Sequence, residues 1–323
     1  MTQTVPTISI QTAMQRIEQA QQEGKLTSGA VENLSHWLNE DRYITYRGDI
    51  LLHVEAGQWQ KLDDVFWTVI PFGTGGRRGR MYDFGSNAIN DRTIGESAQG
   101  LATYVLEQQR ESATELSCAI AYDTRHRSRR FAELCAGIMV ANGFKVYFLD
   151  DFRATPQLSF AVRYKNCNCG IMVTASHNPP SDNAVKVYWS TGGQVLPPHD
   201  KAIIDRVMST DSMKSFRSPT RWPMVESRFA RRKSIGSSHR SVAAFTFPVH
   251  VTQRFFSHRC MASVPPRCCR FWRRSASPMS EVFQPHAQPS GDFPNVPGHV
   301  SNPRTSKSLT LPSNKHDSNR SIL

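Results

Sequence analysis

The sequence predicts a mixed α/β fold, in which a mostly parallel sheet is sandwiched by helices. A short N-terminal helical extension precedes the sheet, and a largely irregular C-terminal third follows it. Three observations support this prediction. Short apolar strands alternate with helical segments between residues 61 and 211, residues 1–60 show helical spacing only, and after residue 212 no period of 2 or 3.6 persists.

The charge distribution marks the same boundary. Residues 1–211 hold 21 Lys and Arg against 23 Asp and Glu, whereas residues 212–323 hold 18 against 4. The net charge of +12 therefore arises from the last third of the chain. The end, 304–323, is polar and has the composition of a disordered tail.

Two helices are predicted in the N-terminal extension, over residues 11–23 and 28–39. Ser28 is a suitable N-cap for the second helix, and Val31, Leu34 and Leu38 share one of its faces.

The α/β part begins its clear alternation with the strand "CAIAYD" (118–123). A helix follows from the candidate cap Ser128 to Asn142-Gly143, and "KVYFLD" (145–150) is the next strand. Thr155-Pro156 opens another helix, and "CGIMVTA" (169–175) is a third strand. Because functional loops lie at the carboxyl ends of strands in such sheets, segments 123–125 and 176–178 are candidate site loops.

Several classes of protein fit the sequence poorly. The seven cysteines show no C-x-x-C spacing, which argues against a zinc site and favours reduced thiols. The N-terminus lacks the pattern of a signal peptide, and no apolar run approaches the ~20 residues of a membrane span. We therefore expect a cytoplasmic protein with no membrane partner.

A glycine-rich basic stretch, "PFGTGGRRGRM" (71–81), has two interpretations. Backbone amides freed by glycine, next to arginine, would suit a phosphate cradle. On spacing alone, an ordinary surface turn with three solvated arginines is the favoured interpretation. It is not a dinucleotide fingerprint, since Arg78 stands where the third glycine belongs, and it lacks the G-K-[ST] of a P-loop.

The turn "TASHNPP" (174–180) displays Ser176, His177 and Asn178 after the third strand. A triad hydrolase is disfavoured, because G-x-S-x-G is absent and adjacent residues rarely align as nucleophile and base. From the residues alone, Ser176 or Asn178 could simply cap a turn.

Taken together, four motifs make the chain from about 62 to 211 resemble domain I of the α-D-phosphohexomutases, the phosphoglucomutase/phosphomannomutase family. They are "FGTGGRRG", "AYDTRHRSRRFAE", "TASHNPP" and "NAVKVY", in the family's order and spacing. The last one carries Ala184 where the family usually has glycine.

The resemblance implies a phosphosugar mutase, which moves phosphate between C1 and C6 (or C5) of an aldose phosphate. Ser176 would be the phosphoserine, and Arg78, His177 and Lys186 would assist transfer. Sugar monophosphate and bisphosphate would be the ligands, and Mg²⁺ would bind through the phosphoryl group or Ser176 itself. The residues expected to bind phosphate are Gly73, Thr74, Gly75, Arg78 and Asn178.

The C-terminal third departs from the family. No D-x-D-x-D metal loop occurs, and the loops for sugar and for the distal phosphate are missing. Residues 282–303 look family-like again, within an otherwise degraded second-domain region at 212–303. We hypothesise that 213–281 and 304–323 are translated out of frame, which translation of the gene in all three frames would test. We expect little or no mutase activity from this chain.

A second class of function stays open at this point. The basic last third interleaves aromatic residues with 14 arginines and 4 lysines, so it could bind nucleic acid or another polyanion. No recognised nucleic-acid fold appears, and we regard this as the weaker alternative. The sequence specifies neither the sugar nor the oligomeric state.

Overall fold

The computed structural model describes residues 6–73, 75–110, 115–149, 151–214 and 290–292. Thr74, the aromatic and basic segments of the last third, and most of 282–303 lie outside the described residues. The frame-shift hypothesis and the polyanion-binding alternative therefore concern parts of the chain that the structure does not describe.

Five strands form one mixed sheet in the order β1-β5-β4-β2-β3. β2 pairs in parallel with β3 and β4, whereas β5 pairs antiparallel with β4 and β1. The predicted mixed α/β fold is confirmed, although only two of the four pairings are parallel. The strands are β1 Gly76–Arg80, β2 Ser117–Tyr122, β3 Lys145–Phe148, β4 Cys169–Val173 and β5 Asp182–Trp189.

Both faces of the sheet are covered by helices. Successive side chains of a strand point to opposite faces, and the fully buried β2 follows this rule. Its Ile120 packs in the larger core with α5 Asp91–Gln108 and α6 Ser128–Ala141. Its Ala119 packs on the other face against α7 Thr155–Tyr164. The last helix of the described residues, α8 His199–Met208, lies against α5.

The helix starts differ by one residue from those predicted. Thr27, not Ser28, is the N-cap of the second helix, and its hydroxyl accepts the N–H of Ala30 at 3.2 Å. Ser128 is the first helical residue of α6 instead of its cap, because its hydroxyl donates to Asp123. The helix expected to begin at Thr155 has Ala154 at the cap position.

The N-terminal part holds more helix than the sequence predicted. The two expected helices are present as α1 Ile10–Gln22 and α2 Ser28–Asn39. They are followed by a 3₁₀ turn, Asp41–Tyr46, and by α3 Arg47–Glu55 and α4 Trp59–Phe66. These elements share their own apolar core, in which Trp37 contacts Phe66 edge to face. α4 runs without a break across position 61, where the sheet domain was predicted to begin.

An ion pair of Arg42, next to a buried ion-pair cluster on α5, joins this helical part to the sheet domain. Glu96 of α5 pairs with Arg77 and with Arg92, both at 2.7 Å and both nearly inaccessible to solvent. Arg92 also donates to the carbonyl of Asp211, and Arg42 pairs with the Asp211 carboxylate at 2.7 Å. Strand β1, helix α5 and the N-terminal part are therefore fixed relative to one another. No helix among the described residues is long and apolar enough to cross a membrane.

Candidate active site

The predicted serine lies on an exposed turn immediately after β4. Ser176 adopts the left-handed backbone conformation, with φ of 59°, which residues other than glycine seldom adopt. Its N–H donates to the Thr174 hydroxyl at 3.0 Å. The conformation lifts Ser176 out of the buried strand, since Ala175 is fully buried and Ser176 is exposed.

Two buried residues beneath this turn belong to the candidate loop 123–125 but were given no role of their own from the sequence. Asp123 directly follows β2 and accepts the hydroxyls of Thr174 at 2.5 Å and of Ser128 at 2.7 Å. Arg125, only 3% exposed, donates to the carbonyl of Ser176 at 2.8 Å. Burial raises the pKa of the Asp123 carboxyl, because these hydrogen bonds and Arg125 only partly replace its hydration. The sequence signal was the "YDTR" segment after a strand, which was noted without a role for its charged residues.

The register of β1 against β5 decides which arginine faces the site. Residues opposite one another in an antiparallel pair point to the same face. Arg77 is opposite Val185, on the face covered by α5, and is 1% exposed. Arg78 is opposite Ala184, on the same face as Lys186 two residues further along. The interpretation of this stretch as a turn with three solvated arginines is therefore wrong, because it is a strand with one buried arginine.

The side chains of the serine turn make few hydrogen bonds with one another. Ser176 Oγ lies 3.3 Å from Nδ1 of His177, a long hydrogen bond. Within the described residues, no carboxylate hydrogen-bonds the other ring nitrogen, so a hydrolase triad is not formed. Asn178 donates to the Asp182 carboxylate at 2.9 Å, and Arg78 approaches the Asn178 amide oxygen at 3.5 Å. Arg78 is thereby placed beside the turn.

Lys186 is a half-buried cation in a basic setting. Its pKa is lowered, first by burial and then by the nearby charges of Arg78 and Arg125, while Asp123 acts in the opposite direction. These influences place Lys186 in the same electrostatic cluster as the turn. An amine with a lowered pKa gives up its proton more readily than a solvated lysine.

Some backbone groups of the predicted phosphate cradle are occupied by hydrogen bonds within the glycine-rich stretch. Gly73 and Gly76 exchange hydrogen bonds, at 2.9 Å and 3.0 Å, so the N–H of Gly73 is engaged within the turn. Gly75 has φ of 83° and accepts the N–H of Val187 at 2.9 Å. Thr74, between them, lies outside the described residues. Among the described residues of this stretch, Arg78 is the one whose side chain approaches the serine turn.

A metal site was expected at Ser176, and the described residues do not complete one. They contain no group of three or more His, Cys, Asp or Glu side chains that could hold a metal ion. The neighbouring carboxylate, Asp123, is buried and already accepts three hydrogen bonds. A magnesium ion requires about six oxygen ligands, so the residues present do not fit this ion.

The short downstream segment 290–292 lies against the loop that carries Arg125. Gly291 approaches so closely that a Cβ there would be 2.8 Å from the backbone nitrogen of His126. Asp292 Oδ1 lies 2.6 Å from His126 Nε2 and forms a hydrogen bond with it. This piece of the family-like segment 282–303 is therefore placed at the edge of the candidate site.

Comparisons with known proteins find relatives of the part of the chain that forms the sheet domain. Residues 70–214 match the profile described as phosphoglucomutase/phosphomannomutase, alpha/beta/alpha domain I. A phosphoribomutase of Saccharomyces cerevisiae is 37% identical over 177 residues, which is 54% of this chain and 28% of that protein. The phosphopentomutase of Homo sapiens is 35% identical over 178 residues, 53% of this chain and 29% of the other. A Staphylococcus haemolyticus phosphoglucomutase is 38% identical over 158 residues, 48% and 28% of the two chains.

Solved structures show the same fold. A Paramecium phosphoglucomutase, parafusin, has a TM-score of 0.53 at 16% identity, covering 76% of this chain and 48% of that one. A Thermus thermophilus protein assigned as a phosphomannomutase has a TM-score of 0.52 at 24% identity, covering 70% and 48%.

The fold and the serine turn define an α/β/α domain of the kind found in phosphosugar mutases. Residues 70–214 match domain I of the phosphoglucomutase/phosphomannomutase family. The chain covers less than a third of the length of the curated relatives it matches.

Proposed function

We infer that this chain carries the phosphoserine domain of a cytoplasmic phosphosugar mutase, an isomerase that transfers phosphate within an aldose phosphate. One observation carries the inference. Ser176 stands exposed at the carboxyl end of β4, and the two cations Arg78 and Lys186 share the adjacent face of the sheet. The relatives' names, phosphoribomutase, phosphopentomutase and phosphoglucomutase, support the same class.

The chemistry follows from the side chains. In the proposed step, Ser176 Oγ attacks a phosphorus of a sugar bisphosphate, the bond from phosphorus to the sugar oxygen breaks, and the sugar leaves as a monophosphate. The serine loses its proton, and the departing oxygen gains one. Arg78 would neutralise the phosphoryl oxygens, because phosphoryl transfer depends mainly on positioning and charge stabilisation.

Lys186 and His177 would manage the protons. Lys186, whose pKa is lowered, is suited to supply the proton that the sugar oxygen takes. His177, whose Nδ1 lies 3.3 Å from Ser176 Oγ, would accept the proton of the serine or orient its hydroxyl. Asn178 would hold the transferred group from the far side of the turn. Since the described residues do not fit a magnesium ion, no step is assigned to a metal.

Acceptance of a phosphoryl group and catalytic turnover require different sets of residues. Acceptance needs Ser176 and its neighbours. Turnover also requires residues that bind the sugar and residues that bind the distal phosphate. We propose that this chain lacks both of these binding sites. Preorganised groups of this kind contribute factors of about 10²–10³ each to rate. We therefore expect a coupled glucose 1-phosphate assay to give far less than the ~10 s⁻¹ of a typical enzyme.

The direct test is phosphorylation of the purified full chain by glucose 1,6-bisphosphate. Mass spectrometry should find one added phosphate on Ser176, and Ser176→Ala should abolish it. Ser181→Ala is the matched control, because Ser181 is exposed five residues further along the same turn and should be dispensable. Phosphate at another serine, or none in the native chain, would contradict the proposal.

A further inference from the structure

The serine turn is held from below by one side chain of another loop. The guanidinium of Arg125 donates to four backbone carbonyls of the turn, two from each terminal nitrogen. The Nη2 bonds are 2.8 Å and 2.6 Å long, and the Nη1 bonds are 2.7 Å and 3.1 Å. The accepting carbonyls belong to Ser176, Asn178, Pro179 and Asp182.

The geometry of this buried contact is specific to arginine. The Arg125 side chain is almost inaccessible, with the Asp123 carboxylate 3.5 Å from its Nε. A planar guanidinium carries five donors in a fixed fork, so it can hold two carbonyls on each side. A lysine ammonium offers three donors from one atom and cannot span the same carbonyls.

The other arm of the turn depends on the same loop. Asp123 accepts the N–H of Arg125 at 3.0 Å and the hydroxyl of Thr174 at 2.5 Å. The Thr174 hydroxyl oxygen in turn accepts the N–H of Ser176. Asp123 and Arg125 therefore restrain the turn on both sides of Ser176, through Thr174 before it and through carbonyls from Ser176 onward.

Such restraint is what the backbone at Ser176 requires. A serine in the left-handed region is strained, and single residues keep that conformation only when their surroundings enforce it. If the restraint is lost, Ser176 can relax to an ordinary backbone conformation. Its Oγ then points elsewhere relative to Arg78 and Lys186.

We propose that Arg125 is a positioning residue for phosphoryl transfer, one that acts through the backbone of the serine turn and not by touching the substrate. This inference rests on the proposed function for its kinetic consequence. Its structural part, the restraint of residues 176–182, is independent of phosphorylation and has its own measurement.

The experiment compares the native full chain with Arg125→Lys in two assays. In single-turnover phosphorylation by glucose 1,6-bisphosphate, we expect the limiting rate constant to fall about 100-fold, the cost of a misplaced reacting group. The half-saturating concentration should change less than about threefold, since no substrate contact is removed. In hydrogen exchange, the amides of Ser176, Asn178 and Asp182 should lose protection, while those of β2 keep theirs.

Arg153→Lys is the matched control, because Arg153 is also buried, at 2% exposed, but donates to Phe152 and lies outside the turn. It should leave both readouts at native values. A second variant, Arg125→Ala, should recover part of its rate with added guanidinium ion. If Arg125→Ala does not fold, Arg125→Lys carries the test by itself.

The outcomes separate the two proposals. Native protein that takes no phosphate on Ser176 overturns the proposed function, and hydrogen exchange then still decides whether Arg125 restrains the turn. Native protein that is phosphorylated, with Arg125→Lys equal to it in rate and in protection of 176–182, overturns the role of Arg125. A rise only in the half-saturating concentration would also overturn it, since that result indicates direct substrate binding.

Discussion

Substituting Glu96 by glutamine should destabilise the protein far more than an ordinary loss of an ion pair. The Glu96 carboxylate accepts from Arg77 Nη1 and from Arg92 Nε, each at 2.7 Å. Both arginine side chains are nearly inaccessible, at 1% and 3% exposed. Glutamine keeps the shape of the side chain but leaves two buried cations without their counter-charge.

The magnitude follows from the cost of unpairing buried charges. Removing one member of a buried pair typically costs about 3–5 kcal/mol. For a folded part of roughly 200 residues, each kcal/mol lowers the melting temperature by about 2–4 °C. We therefore expect Glu96→Gln to lower the melting temperature by about 6–20 °C. The loss of about 3–5 kcal/mol is a large part of a total stability of ~5–15 kcal/mol.

The assays are thermal unfolding for the melting temperature and urea unfolding for the free energy, both followed by far-ultraviolet circular dichroism, with Glu133→Gln as the control. Glu133 pairs with Arg129 at 2.9 Å within α6, but the two side chains are 38% and 67% exposed. An exposed pair of this spacing contributes about 0.3–0.5 kcal/mol. If Glu96→Gln costs no more than ~1 kcal/mol beyond Glu133→Gln, the reasoning from burial is refuted.

Three further predictions concern local features. Lys186→Met should raise the melting temperature near neutral pH. The folded state lowers the pKa of Lys186, so the charge of this side chain costs stability until the pH passes 10.5. The gain in melting temperature should therefore shrink as the pH rises to that value. Thermal melts across this range test the prediction, and a gain independent of pH would contradict it. Gly76→Ala should cost about 2–5 kcal/mol in urea unfolding, because its Cβ would lie 2.1 Å from the Val185 carbonyl oxygen. Gly143→Ala, with φ of 86° but no atom within 4 Å, is the control and should cost only about 1–2 kcal/mol; equal losses would exclude the clash. Cys135, whose pKa burial raises to about 12, should resist iodoacetamide in the native protein under conditions that label it fully in urea, as peptide mass spectrometry can measure.

The sequence predicted the parts of the fold that local pattern controls. Strands β2 and β4 read as apolar runs because they are buried on both faces, and Gly143 ends its helix with φ of 86°, in the left-handed region. Helix α3 was missed because its apolar residues do not gather on one face. The caps at Thr27 and Ala154 were each placed one residue too late, which is the usual uncertainty of a helix start.

The candidate site was predictable only where a motif displays its reactive groups. Ser176, Arg78 and Lys186 were predicted as site residues, and the structure brings Arg78 and the turn together across 100 residues of chain. Arg125 was not, because its role depends on four backbone carbonyls that a sequence does not display. The destination of Arg77 depends on strand register, which "GRRGR" by itself cannot specify.

That strand has a consequence for how the arginine beside the serine turn is encoded. Because Arg77 and Arg78 are neighbours, sliding β1 by one residue against β5 would still put an arginine on each face of the sheet. Charge therefore cannot select the correct alignment. Gly76 can exclude the slip that would bring Arg77 opposite Lys186, since that place has no room for a Cβ. A residue without a side chain thus helps to specify the alignment of the arginines beside it, and transplanting these arginines into another sheet without this glycine would remove that constraint.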